Sequence, residues 1–471
     1  MSDEFDVIVI GGGVAGLCCA GELVLQGART LLIPETKEVG FAIRPRMVDG
    51  NRGIMQVPTY MVGWGGGWWP NLARRLNADI KAPRGFNCTL FDLAVEGTGK
   101  VQPFTQSALT GAALNSMLAE LIGTVSPELA SSLGADSERV LTNALAIPYQ
   151  ELAKMDRVSI TEWLVDQKAD EIMTTLMFMI GGSVYGSTGE FVREHASVYG
   201  LIGAMRAFFC AEATFGFVYP DNREGLAIPL GRAIEGHGGT IWRGRKVTHI
   251  DISAGRVGSV VLSDGQEVRA PMVALACGNQ RIAALLDSPP PEAEPALTYS
   301  QESLPHKDFH LFNVMDKPVL PPEFKNWVGV LNTQGDMVSW LHPVHAATPW
   351  AVKPGTQLVT SAVSYPAKEV DSGRYGTEDD IFARLQKTTE SFYPGYQDAI
   401  GVTDRFTHKP GHLWYEPMCV GPKLPRSVDS VEGLWFVGEG STPTCGFFME
   451  GSASAGILGA REMLAHRQQS A

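Results

Sequence analysis

The residues in this chain best placed to do chemistry are three glycines and a carboxylate. Gly11-x-Gly13-x-x-Gly16 follows directly on Val7-Ile8-Val9-Ile10, and Glu35 lies nineteen residues beyond Gly16. The β-branched run reads as a buried parallel strand, and a helical pattern runs from Val14 to about Gln26. A second strand is expected around Arg29 to Ile33. In that setting Gly11 makes the tight turn, Gly13 lets a pyrophosphate approach the backbone, and Gly16 lets the helix pack closely on the strand. The helix N-terminus offers free N–H groups, with Val14 and Ala15 in its first turn, and a positive dipole end. Glu35 stands where a carboxylate accepts hydrogen bonds from ribose hydroxyls. The combination predicts a dinucleotide site.

Further candidates lie along the chain. Arg44 or Arg46, in the loop after Glu35, could meet a phosphate or stay a solvated surface arginine. In Asp308-Phe309-His310-Leu311-Phe312-Asn313-Val314 strand alternation puts His310 and Phe312 on one face and Phe309 and Leu311 on the other. His310 reads either as a proton carrier or as a hydrogen-bonded core histidine. His412, Trp414 and Tyr415 form an aromatic cluster some twenty residues before the strand at Leu434. Gly63-Trp64-Gly65-Gly66-Gly67-Trp68-Trp69-Pro70 is too glycine-rich to be expected in a regular element. It would lie over a ring system or plug two domains.

The elements that must position these groups follow from length and pattern. At 471 residues two or more domains are expected, and 44% hydrophobic with 19% charged residues describes a globular enzyme. A net charge of -13 argues against a nucleic-acid partner. No stretch approaches a membrane span, and the first strand starts too early to leave room for a signal peptide, so a cytoplasmic protein is expected. Its seven cysteines, Cys18 and Cys19 among them, read as reduced. No Cys/His cluster has metal-ligand spacing, so no metal is expected. Residues 76–218 look like a helical insertion, with helices over Leu109 to Ile122, Ile160 to Gln167 and the Met-rich Glu171 to Ile180, which ends at Gly181-Gly182. That last helix is either covered on all sides or lines an apolar cavity. From Tyr219 the pattern returns to strands and turns: a helix to Gly236, strands at Lys246 to Asp251, Val257 to Leu262, Glu267 to Arg269 and Val273 to Gly278. Residues 300–424 are strand-rich. Gly433 to Gly440 repeats the strand-to-glycine motif, and a small-residue helix runs from Ser452 to about Leu464.

Val7 to Glu35, Tyr219 to Gly278 and Gly433 to Ala460, about a third of the chain, together resemble the flavin amine oxidase and phytoene desaturase superfamily. The resemblance implies an α/β fold: a discontinuous Rossmann-like FAD-binding domain (1–75, 219–299, 425–471) with an inserted α+β substrate domain (76–218, 300–424). It implies that Val247 contacts adenine through its backbone and that Gly438-Glu439 places a carboxylate on a ribityl hydroxyl. Phe447-Phe448-Met449-Glu450-Gly451 is similar to the amine oxidase Gly-Tyr-Met-Glu-Gly stretch. That similarity puts Phe448 and Met449 at the flavin and aims a helix N-terminus at its anionic reduced form. Phe448 replaces a tyrosine that walls the amine cage, and Gly40-Phe41 replaces a Gly-Gly followed by arginine. The final block is also less Gly/Pro-rich than in carotenoid desaturases. His310 falls near the family's flavin-facing lysine, and Tyr415 where a second wall is often supplied.

What the resemblance implies is a non-covalent FAD enzyme, since Cys419 and Cys445 sit in no clear attachment motif. It would take hydride from a carbon of an apolar small molecule, with carbon–carbon desaturation leading. The alternatives are amine oxidation and, more remotely, a non-catalytic escort protein of prenylated GTPases. The catalytic candidates are His310, Tyr415 and Phe448. Dioxygen or a redox partner would be the electron acceptor, and a peripheral membrane contact and a homodimer stay open.

Overall fold

Val7–Ile10 is buried along its whole length, and this sets the architecture: a strand without a polar face must be covered on both sides. It is the middle strand of a five-stranded parallel sheet in the order Leu434–Phe436, Met272–Leu275, Val7–Ile10, Thr30–Ile33, Thr240–Ile241. One face carries Val7, Val9, Leu32 and Ala274 under the helices Val14–Leu25, Ile228–Gly236 and Phe448–Ser470. The other face carries Ile8, Ile10, Leu31 and Val273 under an antiparallel sheet of Val247–Ser253, Arg256–Leu262 and Glu267–Val268. Strand order reverses at Val7–Ile10, so the crevice at its carboxyl end is the topological switch point where α/β sheets bind ligands.

The computed structural model describes residues 5–40, 46–53, 61–63, 67–80, 91–102, 110–123, 127–209, 215–217, 223–320, 327–332, 336–347, 349–408, 415–441 and 448–470. A second, seven-stranded sheet runs in the order Ile400–His408, His306–Met315, Gln357–Pro366, Met337–Pro343, Trp327–Leu331, Phe91–Val95, Val101–Gln102. All its pairs are antiparallel except Trp327–Leu331 with Phe91–Val95. Phe309, Leu311 and Val363 on one face pack against Phe382 and Leu385 of the helix Glu378–Phe392. Trp340 and Ala362 on the opposite face join the core of the helical layer. The α/β class with a mixed second sheet is the one the sequence predicts.

Several elements depart from expectation. The 76–218 segment is not purely helical, since Phe91–Val95 and Val101–Gln102 belong to the seven-stranded sheet and Phe215–Phe217 pairs with Met61–Gly63. The Met-rich helix does not end at Gly181-Gly182. It continues to Tyr185 and stops at Gly186, whose φ of 61° makes the left-handed cap. Gly181 is instead a packing glycine, because a Cβ there would collide with the Val192 side chain. Met173, Leu176, Met177 and Ile180 are buried in one cluster, so this side of the helix is packed core, while Glu171 and Thr175 are exposed. The expectation that the Trp/Gly stretch holds no regular element also fails. Gly63 ends a strand, and Trp68–Arg75 is a helix in which Pro70 falls in the first turn, where no N–H is needed. Trp64, Gly65 and Gly66 lie outside the described residues.

The C-terminal helix Phe448–Ser470 starts four residues earlier and ends later than its small-residue stretch suggests. It lies directly on Val14–Leu25, and a Cβ at Gly456 would collide with the Ala15 carbonyl oxygen and come within 2.9 Å of the Cys19 nitrogen. Glu22 fastens the pair electrostatically: it is almost fully buried and accepts from Arg75 at 2.5 Å and from Arg461 at 3.0 Å. Among the described residues Cys18, Cys19 and Cys277 are free thiols, and no helix is long and apolar enough to cross a membrane. Gly456→Ala should force the two helices apart. A destabilisation of about 1–3 kcal/mol, read by urea unfolding, is the expected cost of that overpacking, and an unchanged midpoint would contradict the close approach.

Candidate functional site

The glycine turn has the geometry its sequence implies. Gly11 has φ of 117°, and a Cβ there would stand 2.5 Å from the Ala276 carbonyl oxygen. A Cβ at Gly16 would collide with the Gly11 carbonyl oxygen, so only glycine lets the helix start this close to the strand. Gly13 is different: a Cβ there would meet nothing within 4 Å. It is the N-cap of Val14–Leu25 and makes no side-chain capping bond, so the first-turn N–H groups of Val14, Ala15 and Gly16 face an open concavity. Gly40, with its N–H donating to the Gly12 carbonyl at 2.8 Å, folds the following loop back onto the turn. These residues fit the pyrophosphate of a dinucleotide.

Glu35 follows the carboxyl end of Thr30–Ile33 and is half-exposed. Lys246 Nζ lies 3.7 Å from one of its oxygens and Arg281 Nη2 3.5 Å from the other. Arg281 Nη2 also donates to the Val247 carbonyl at 2.6 Å. Gly438 and Glu439 lie just beyond the carboxyl end of Leu434–Phe436, and a Cβ at Gly438 would stand 3.1 Å from the Cys277 carbonyl oxygen. Glu439 is buried and accepts from the Ser452 hydroxyl at 3.0 Å. The first turn of Phe448–Ser470 therefore reaches back to the last parallel strand. Met449 is buried in the core beneath that helix. Glu450 is buried and accepts from the Trp68 backbone N–H at 2.6 Å, capping the Trp68–Arg75 helix from another segment. Arg46 does not reach the glycine turn. It forms a bidentate ion pair with Asp404 and lies over the Phe406 ring, 4.9 Å from its centroid. Arg44, His412 and Trp414 lie outside the described residues, as do the side chains of Tyr415 and Phe448. Tyr415 begins the short helix Tyr415–Met418.

A second constellation occupies one face of the seven-stranded sheet. His310 lies in mid-strand, opposite Phe406 on one side and Ala362 on the other, and Ala362 is in turn opposite Trp340. Directly opposed residues share a face, so Phe406, His310, Ala362 and Trp340 form one row. The neighbouring row is Asp404, Phe312, Thr360 and His342, and the row on the other side is His408, Asp308 and Ser364. Alternation holds as predicted: His310 and Phe312 are near-parallel, 6.4 Å apart, and Phe309 and Leu311 point to the opposite layer. His310 is buried, and so are His306, Asp308 and His342. Asp308 accepts from the Ser364 hydroxyl at 2.6 Å and lies 3.8 Å from the His408 ring. His306 meets Ser187 at 3.0 Å, beside the cap of the Met-rich helix. Burial pushes the His342 imidazole down to about 3, with His345 adding to the shift, so His342 is neutral near pH 7. Among the described residues no cluster could hold a metal ion.

Sequence reading did not single out Arg281, Lys246, Trp340, His342 or Asp404. Each acquires its setting only through pairing across distant segments, and no local motif marks any of them.

The fold and the glycine cradle define a Rossmann-like dinucleotide-binding domain joined to a mixed second sheet. A family model described as an FAD binding domain matches residues 6–44, which span the first strand, the glycine turn, Glu35 and the returning loop. No curated protein matches the sequence. Solved structures match along nearly the whole length. One is an oxidoreductase from Methanosarcina mazei, 16% identical with a TM-score of 0.67, covering 97% of this chain and 99% of that one. Putrescine oxidase bound to putrescine is 13% identical with a TM-score of 0.61, covering 98% and 99%. Cyclohexylamine oxidase from Brevibacterium oxydans IH-35A is 14% identical with a TM-score of 0.58, covering 99% and 100%. At such identities the likeness speaks to the fold.

The neutral, buried His342 makes a pH prediction. An unfolded imidazole titrates near 6.5, so below that pH the unfolded chain binds a proton the native one does not. The stability His342 contributes is complete above about pH 6.5 and falls on acidification towards 3. Between pH 7 and pH 5 the loss should be about 2 kcal/mol smaller in His342→Gln than in the parent, by urea unfolding at both pH values. Parallel losses would show that His342 is protonated in the folded protein.

Proposed function

We propose that this protein is an FAD-dependent oxidoreductase that oxidises a carbon centre of an apolar small molecule, with carbon–carbon desaturation as the leading reaction. The observation that carries the reading is a buried histidine in mid-strand, beside Phe312 and opposite Phe406, in a chain whose glycine cradle suits a dinucleotide flavin. Bound FAD would supply a two-electron acceptor that takes hydride at N5. The chain's own share of the work is positional and protonic. Phe312 and Phe406, the two rings beside His310, are assigned to excluding water from the reacting C–H bond. Desaturation also requires removal of a proton from the neighbouring carbon, and an imidazole suits that step near neutral pH. His310 is the group assigned to it, with Tyr415 as the second candidate, and Phe448 is assigned to the wall facing the substrate. The acceptor for the electrons is dioxygen or a redox partner.

Gly11, Gly13, Val14, Ala15 and Gly16 are assigned to the pyrophosphate, and Glu35 and Val247 to the adenosine. Gly438 and Glu439 are assigned to the ribityl chain, and the backbone at Phe448 and Met449 to the flavin. Arg44 remains a candidate phosphate contact. The domain division proposed is 1–75, 219–299 and 425–471 for FAD against 76–218 and 300–424 for substrate. Amine oxidation is the second reading, favoured by the likeness to putrescine oxidase and cyclohexylamine oxidase. Removing hydride from an amine carbon leaves an iminium and needs no second C–H cleavage, so the two readings differ in their need for a base. An escort role would not require the complete set of Gly11, Gly13, Gly16 and Glu35.

The test is anaerobic flavin bleaching with a panel of cyclic ketones, terpenoids and amines. The purified protein should be yellow, and acid precipitation should release the colour. His310→Ala should slow bleaching by roughly 10²-fold or more while FAD stays bound. Normal bleaching in that variant would make His310 a core histidine, and a preference for amines would hand the lead to the second reading.

A further inference from the structure

Glu35 is held from two sides by groups outside its own segment. Lys246 stands 3.7 Å from Oε1, at the start of the antiparallel sheet, and Arg281 stands 3.5 Å from Oε2, on the short helix Asn279–Ala283. The same Arg281 nitrogen donates to the Val247 carbonyl at 2.6 Å. One guanidinium thus ties the loop after the second parallel strand to the edge of the antiparallel sheet. A half-exposed carboxylate is otherwise free to rotate, and a freely rotating acceptor loses entropy each time it is ordered by a ligand. With one cation near each oxygen the carboxylate is biased towards one orientation. Each oxygen keeps a second lone pair for a hydroxyl donor. Arginine suits this post because its N–H groups are fixed in a plane and reach two acceptors at once.

Resting on the assignment of Glu35 and Val247 to adenosine, we propose that Arg281 is the positioning residue for the adenosine end of the cofactor, and so sets the preference for an adenine-bearing flavin over one that stops at the ribityl phosphate. It acts on acceptor geometry at both contacts. The ion pairs themselves are exposed and individually weak, so the effect is moderate and falls with added salt.

The experiment compares FAD with FMN, which lacks the adenosine half. The full-length protein is stripped of flavin, and each flavin is returned while its fluorescence is followed. The parent should bind FAD more tightly than FMN. Arg281→Ala should lose about tenfold in FAD affinity, the size of one hydrogen bond to a charged group, with FMN affinity unchanged. Arg281→Lys keeps the charge and a donor and should recover most of the loss. Should Arg281→Ala prove too unstable to purify, Arg281→Gln takes its place with the same expected pattern. Equal losses for FAD and FMN would make Arg281 a packing residue, and unchanged or tighter FAD binding would remove it from the site; both overturn the proposal. A parent that binds neither flavin would overturn the FAD reading itself.

Discussion

Backbone meets backbone at Gly11, Gly16 and Gly456, and the crevice is arranged around those contacts. Gly16 brings the helix Val14–Leu25 against the Gly11 carbonyl, Gly11 itself abuts Ala276, and Gly456 brings the C-terminal helix onto Ala15 and Cys19. A methyl group at any of the three would need backbone to move, which packed interiors resist. The consequence is electrostatic as well as steric. A helix that begins this close to a strand end points its unbonded N–H groups into the crevice at the switch point, where an anionic ligand gains most from them. The strands Thr30–Ile33 and Leu434–Phe436, with Glu35 and Gly438 just beyond their ends, then flank that crevice.

The seven-stranded sheet solves a different problem. Its strand His306–Met315 is buried on both faces, yet the two faces differ in chemistry. Phe309 and Leu311 meet the Glu378–Phe392 helix as ordinary core. The other face carries Asp308, His310 and Phe312, with Asp404, His408, Thr360 and His342 on the flanking strands. Buried polar groups are costly unless partnered, and on this face Asp308 has its partner in Ser364. Arg46 shows how much is invested there: it crosses from a separate hairpin to pair with Asp404 and cover Phe406.

The parts of this structure that rest on local chemistry were legible in the sequence. Val7–Ile10, the glycine turn, the following helix, the strands Arg256–Leu262 and Glu267–Val268 and the alternation around His310 all follow from period and turn residues. What escaped was set by distant partners. Trp68–Arg75 is a helix because Glu450, nearly four hundred residues away, caps its first N–H. Gly181 reads as a stop and is in fact a seat for Val192. Phe91–Val95 looks like part of a helical region but finds a parallel neighbour in Trp327–Leu331. Arg281 has no motif, and its meeting with Glu35 and Val247 exists only once three segments have come together.

The parallel sheet is assembled from segments more than four hundred residues apart, Val7–Ile10 and Thr30–Ile33, Thr240–Ile241 and Met272–Leu275, and Leu434–Phe436. Val7–Ile10 is synthesised long before Leu434–Phe436 and the helix laid over Ala15. Contacts this far apart in sequence carry the highest loop-closure cost and form slowly. Until they form, the apolar faces of the early strands must be shielded by something other than their final neighbours, and such surfaces aggregate. The glycine turn can therefore fold locally long before the crevice is complete. A ligand spanning both ends would act as a late cross-brace, stabilising only the finished chain and leaving truncated ones unsupported.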